Sequence, residues 1–99
     1  MNETSITTAI MRYLKTVPGL FFWKEHGGMY GTAGLPDIIC CYRGRFIGLE
    51  VKTPDTGRLS KLQASAIAKI QTAGGAAHVV TSVEAVREII QAEEGGEAL

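Results

Sequence analysis

The chain has little of what would point to several common protein classes. It holds only two cysteines, Cys40 and Cys41, and they are neighbours. Successive residues of a strand face opposite ways, so this pair is badly placed to form a bridge. No His or Cys stands at zinc-ligand spacing from them, and they read as small residues of a reducing compartment. No apolar run approaches the roughly 18–20 residues of a membrane-spanning helix. The opening Met1-Asn2-Glu3-Thr4 has no basic stretch leading into an apolar one. No secretory signal or membrane partner is therefore expected, and a cytoplasmic location is. Net charge is lacking as well, since ten Lys and Arg cancel ten Asp and Glu. That balance excludes a polybasic coat or a membrane-surface anchor.

What is present is an ordinary globular composition, 45% hydrophobic and 20% charged. Its 99 residues make one domain, 1–99, with a core over about 3–91 and a tail, 92–99, expected to fray. Such a chain buries only about 60–70% of its unfolded surface, so a second copy would be a natural supplement. The zero charge conceals a division. Residues 1–69 hold nine Lys and Arg against five acids, whereas residues 70–99 hold Arg87 against Glu84, Glu88, Glu93, Glu94 and Glu97. A positive face around the functional residues, with the acidic third turned away, is the expectation.

Periodicity sets the order of elements. Ile6, Ala9, Ile10, Tyr13 and Leu14 form one helical stripe that ends before Pro18-Gly19. Glu3, seven residues before Ile10, shares its inward side. Leu20 to Trp23 is strand-like, and a glycine-rich passage over 27–34 follows. Two β-rich runs, Asp37 to Tyr42 and Phe46 to Lys52, flank a turn at Arg43-Gly44-Arg45. Ser60 with Gln63 is a capping-box signature for a helix carrying Leu62, Ala66, Ile67, Ile70 and Ala73. A strand at Ala77 to Thr81 and a helix capped by Ser82 complete the chain. The 46–81 strand–helix–strand unit requires a parallel pair, while the earlier short turns give antiparallel ones. The fold class is α/β, a mixed sheet flanked by helices.

The chemistry gathers at Pro36-Asp37 and Glu50-Val51-Lys52. Alternation sends Ile47, Leu49 and Val51 to one face, and Gly48, Glu50 and Lys52 to the other. Asp37, at the start of the neighbouring strand, can meet Glu50 across the sheet. Two carboxylates and a backbone carbonyl suit Mg²⁺ or Mn²⁺, and a lysine on the same face could orient a water or offset charge on phosphorus. A surface ion pair would explain Glu50 and Lys52 alone, but the full set arises by chance in only about one or two chains of this size in a hundred.

Gly34-Leu35-Pro36-Asp37, Gly48-Leu49-Glu50-Val51-Lys52-Thr53-Pro54 and Leu59-Ser60-Lys61-Leu62-Gln63 resemble the motifs of the VRR-NUC (virus-type replication–repair nuclease) domain of the PD-(D/E)xK nucleases. The resemblance spans residues 3 to about 90 and implies a restriction-endonuclease-like αβββαβ core in a stand-alone domain of phage or bacterial type. It implies that Asp37, Glu50 and the Val51 carbonyl bind the metal, with Glu3 as a further acid from the first helix. Lys52 would be the catalytic lysine and Gln63 the glutamine of the second helix. The implied function is a Mg²⁺- or Mn²⁺-dependent endodeoxyribonuclease acting as a homodimer on branched DNA such as four-way junctions. A flap- or sequence-directed nuclease and a non-catalytic DNA-binding module remain as alternatives. For Gln63 the capping box offers a purely structural account, and for Glu3 the helix dipole does.

Other residues carry weaker signals. His26 and His78 lack ligand-spaced partners and read as structural residues or phosphate contacts. Trp23 is expected in the core or an interface, and Tyr30 could stack on a base. Lys24, Arg43, Arg45, Arg58 and Lys61 flank the motifs as candidate phosphate contacts.

Overall fold

A computed structural model describes residues 2–27 and 31–97; Tyr30 lies outside the described residues. Helix α1 runs from Glu3 to Leu14, started by Asn2, whose side-chain oxygen accepts the Ser5 amide at 2.8 Å. Strand β1 (Leu20–Lys24) is followed by β2 (Ile38–Tyr42) and β3 (Arg45–Val51). Helix α2 (Lys61–Thr72) leads to β4 (Ala76–Val80) and α3 (Val83–Glu97). The four strands form one sheet in the order β1-β2-β3-β4. The first two pairings are antiparallel and the last is parallel, as the connection lengths require. The β2–β3 turn places Arg43 and Gly44 at φ of 52° and 84°, the left-handed pair of a type I′ hairpin that matches the strand twist.

The core lies on one face of the sheet. Ile6, Ile10 and Leu14 of α1 and Val86 and Ile90 of α3 pack on Ile38, Cys40, Ile47, Leu49, Val51 and Val80. Cys40 is inside and Cys41 is exposed, and burial pushes the Cys40 thiol up to about 12, with Cys41 adding to the effect. The opposite face is only partly covered. Ala66 is the buried residue of α2, while Leu62 and Ala73, expected in its stripe, are exposed. The helix packs on β3 and β4 and leaves β1 open, where Phe21 and Trp23 are 68% and 45% exposed; Phe46, near the start of β3, is 42% exposed. Trp23 is thus not a core residue; its indole N–H donates to Glu25 at 3.1 Å.

Helix α3 is continuous through Glu97, into the stretch expected to fray. Arg45 joins the start of that stretch to the sheet. Its Nε donates to Glu93 Oε2 at 2.8 Å and its Nη1 to the Gly74 carbonyl, tying the β2–β3 hairpin to α3 and to the end of α2. Arg43 lies 3.8 Å from Glu94. Part of the charge cancellation is therefore local, cation against acid at one end of the sheet.

Candidate active site

The alternation along β3 decides where each side chain goes. Ile47, Leu49 and Val51 enter the core, and Gly48 and Glu50 face the other way. Glu50 is 1% exposed although it can carry a charge. At Gly48 an added Cβ would come within 2.8 Å of the Pro36 ring, so this glycine is the seat for the residue before Asp37. Gly34 adopts φ +81°, and a Cβ there would meet the Leu62 carbonyl oxygen of α2 at 2.5 Å. The segment ahead of β2 is thereby pressed against α2 and β3, and it delivers Asp37 to the edge of the sheet. Asp37 Oδ2 accepts the Val51 amide at 2.8 Å, and the Asp37 carbonyl accepts the Glu25 amide at 2.7 Å. The Lys52 amide instead donates across to Val80. Because backbone groups alternate sides along a strand, the Val51 carbonyl opens toward Asp37.

Glu50 has few partners. Gln63 Nε2 donates to its Oε2 at 3.1 Å, and Lys52 Nζ lies 3.7 Å from the same oxygen. Glu50 Oε1 is buried with no hydrogen-bond partner. Burial, and then the Asp37 carboxylate beside it, push the Glu50 carboxyl up from 4.5 to about 8; Lys52 opposes this and Glu3 adds to it. Two acids converge here, with the Lys52 ammonium beside Glu50. The cluster is deficient in positive charge.

Solved structures share this arrangement of elements. One described as a "VRR_NUC domain protein" superposes with a TM-score of 0.74 at 20% identity, over 92% of this chain and 86% of its own. Another, described as a "VRR_NUC domain", gives 0.74 at 21% identity over 90% and 94%. The fold is that of a VRR_NUC domain. No family model matches the sequence, and no curated protein does.

Within this VRR_NUC fold, Asp37, Glu50, Lys52 and Gln63 come together at the open end of the β2–β3 pair, with the Val51 backbone among them. Glu3 is nearby but set apart. It lines a cavity of about 130 Å³ with Thr4, Thr7, Thr8, Met11, Lys24 and Asp37. Among the described residues, no three His, Cys, Asp or Glu side chains form a metal-holding group. The oxygen donors are instead two carboxylates and a carbonyl, a set that fits a hard divalent cation retaining several waters. The orphaned Glu50 Oε1 supports that fit, since a cation would satisfy it.

The threonines of the cavity carried no signal as site residues. Thr7 is buried one turn after Glu3, with its hydroxyl donating to the Glu3 carbonyl at 2.9 Å. Lys24 borders the cavity as the flanking position allowed. Arg43 and Arg45 do not flank the site. They sit across the five residues of β2, about 17 Å of strand, and face Glu94 and Glu93. Arg58 lies outside the elements and donates to the Gly57 carbonyl at 3.2 Å, and Lys61 opens α2. His26 and His78 are both exposed. No helix of the described residues is long and apolar enough to cross a membrane.

Proposed function

We propose that the chain is a Mg²⁺- or Mn²⁺-dependent endodeoxyribonuclease that hydrolyses phosphodiester bonds in structured DNA. Four-way junctions are the favoured substrate and a homodimer the working form. The observation that carries the reading is Glu50, buried beside Asp37 and Lys52 with one oxygen unpartnered. Asp37, Glu50 and the Val51 carbonyl would hold the ion. When bound, such an ion lowers the pKa of a water and stabilises the charge of a phosphoryl transition state. Lys52, only 14% exposed and anchored against Glu50, presents its ammonium to orient the attacking water and offset charge on phosphorus. Gln63 fixes the Glu50 carboxylate through its amide. The core beneath β3 prevents the strand from yielding. Lys24, beside Asp37 and Glu3, is the cation placed to meet a DNA phosphate.

A two-fold pair of copies suits a two-fold junction, and Phe21, Trp23 and Phe46 supply an exposed apolar patch of the kind a partner covers. The deciding experiment compares labelled junction, flap, linear duplex and single-stranded DNA, with and without Mg²⁺ or Mn²⁺. Metal-dependent cutting should favour the junction, and Asp37→Ala, Glu50→Ala and Lys52→Ala should each abolish it in folded protein. Full activity in Asp37→Ala would overturn the assignment. A preference for flaps would keep the chemistry and change the substrate.

A further inference from the structure

The amide of Gln63 is bonded at both ends. Its Oε1 accepts the Ser60 backbone N–H at 2.9 Å, while its Nε2 donates to Glu50 at 3.1 Å. The Ser60 hydroxyl in turn accepts the Gln63 backbone N–H at 3.1 Å, closing a capping box around the start of α2. A capping box ordinarily serves its own helix, satisfying two backbone donors that have no partner within it. Here the reciprocal side chain also reaches a carboxylate thirteen residues away in sequence, one that is 1% exposed. Glutamine has three side-chain torsions, and holding it in one conformation costs up to about 2 kcal/mol when nothing pins it. The Ser60 N–H pins the carbonyl end of that amide, so the donor end is already aimed at Glu50.

We propose that Ser60 is a positioning residue of the site, acting through Gln63 to orient Glu50 for its cation. This inference rests on the metal site proposed above. The backbone makes it separable from capping in general. Ser60 sits at φ −76°, ψ 165°, which proline also adopts, so Ser60→Pro removes the N–H, and with it the capping hydroxyl, without demanding a new backbone conformation at that residue. Ser82 supplies a matched control. Its hydroxyl accepts the Ala85 amide at 3.1 Å at the start of α3, and it borders Ile6 and Ala9 of α1.

The test measures Mn²⁺ affinity by titration calorimetry, alongside thermal midpoints, for wild type, Ser60→Pro, Gln63→Leu, Ser82→Ala and Glu50→Ala. Loss of a residue that orients a metal ligand typically weakens binding about 10–100-fold. Ser60→Pro should fall in that range and match Gln63→Leu. Ser82→Ala should lose thermal stability and bind Mn²⁺ as wild type does. Ser60→Pro binding as tightly as Ser82→Ala, with Gln63→Leu weak, would make Ser60 a helix cap and nothing more. Undiminished binding by Glu50→Ala would instead refute the metal site itself. Should Ser60→Pro fail to fold, hydrogen exchange of the Ser60 amide in wild type decides the matter. Coupling is reciprocal, so Mg²⁺ should slow exchange at Ser60. Exchange there unaffected by Mg²⁺, in protein that binds it, overturns the proposal.

Discussion

Replacing Glu50 by glutamine should stabilise the metal-free protein in alkaline solution while destroying its affinity for a cation. The side chain is 1% exposed, faces Asp37, and has its carboxyl raised from 4.5 to about 8. Glu50 therefore binds its proton more tightly in the folded chain than in the unfolded one. Below pH 4.5 both states are protonated and nothing is lost. As pH rises from there to about 8 the native state holds the extra proton, and stability declines through that window. Each unit of displacement corresponds to about 1.4 kcal/mol, so the full decline is on the order of 3–5 kcal/mol. That is a large share of the roughly 5–15 kcal/mol that holds a domain together. Glutamine has the same shape, stays neutral and still accepts the Gln63 amide, so Glu50→Gln avoids this loss. The assay is urea unfolding in EDTA at intervals from pH 5 to 9. With a slope of about 1–3 kcal/mol per molar urea, the wild-type midpoint should fall relative to the variant by about 1–5 M across that range. Added Mg²⁺ should restore the wild type at pH 8 and leave the variant unchanged. The histidines are common to both proteins and cancel in the comparison. Parallel midpoint curves for the two proteins would refute the reasoning.

Two further outcomes follow from the same contacts. Gly34→Ala places a Cβ against the Leu62 carbonyl at a positive φ, so it should cost about 2–4 kcal/mol in urea unfolding and weaken Mg²⁺ binding by displacing Asp37. Lys24→Ala should weaken DNA binding in Ca²⁺ and flatten its salt dependence, whereas Arg45→Ala should leave DNA affinity unchanged and speed hydrogen exchange at the end of α3.

Much of the architecture is written in short-range pattern. The 3.6-residue stripe of Ile6, Ile10 and Leu14 and the alternation of Ile47, Leu49 and Val51 mark their elements and their buried sides, and those residues form the core. The length of the 46–81 segment requires the parallel β3–β4 pair. Asp37, Glu50 and Lys52 were visible because strand alternation and a short hairpin leave them few places to go. What was not visible depends on contacts between segments that share no period. Arg45 looks like a turn cation at the motif's border until α3 brings Glu93 to it from 48 residues away. Trp23 reads as a core or an interface aromatic alike, because strand patterning does not reveal that α2 stops short of β1. Leu62 belongs to a helical stripe, yet its exposure is fixed by how far α2 is rotated on the sheet. Gln63 carried two readings in the sequence, a capping partner and a residue directed at the sheet, and its amide makes both contacts.

The hydrogen bonds already formed at the sheet edge determine how many oxygens remain to be shared. Asp37 gives one oxygen to the Val51 amide, and Glu50 gives one to Gln63. Glu50 Oε1 is left without a partner, and Asp37 stands beside it. With the second Asp37 oxygen and the Val51 carbonyl, three oxygens would hold a cation and leave the rest of its shell to water and substrate. Such a set would favour Mg²⁺, which keeps its waters, over Ca²⁺, which takes six to eight oxygens at longer range. Ion choice in this chain would then follow from which carboxylate oxygens its own amides have claimed, rather than from the number of acids it carries.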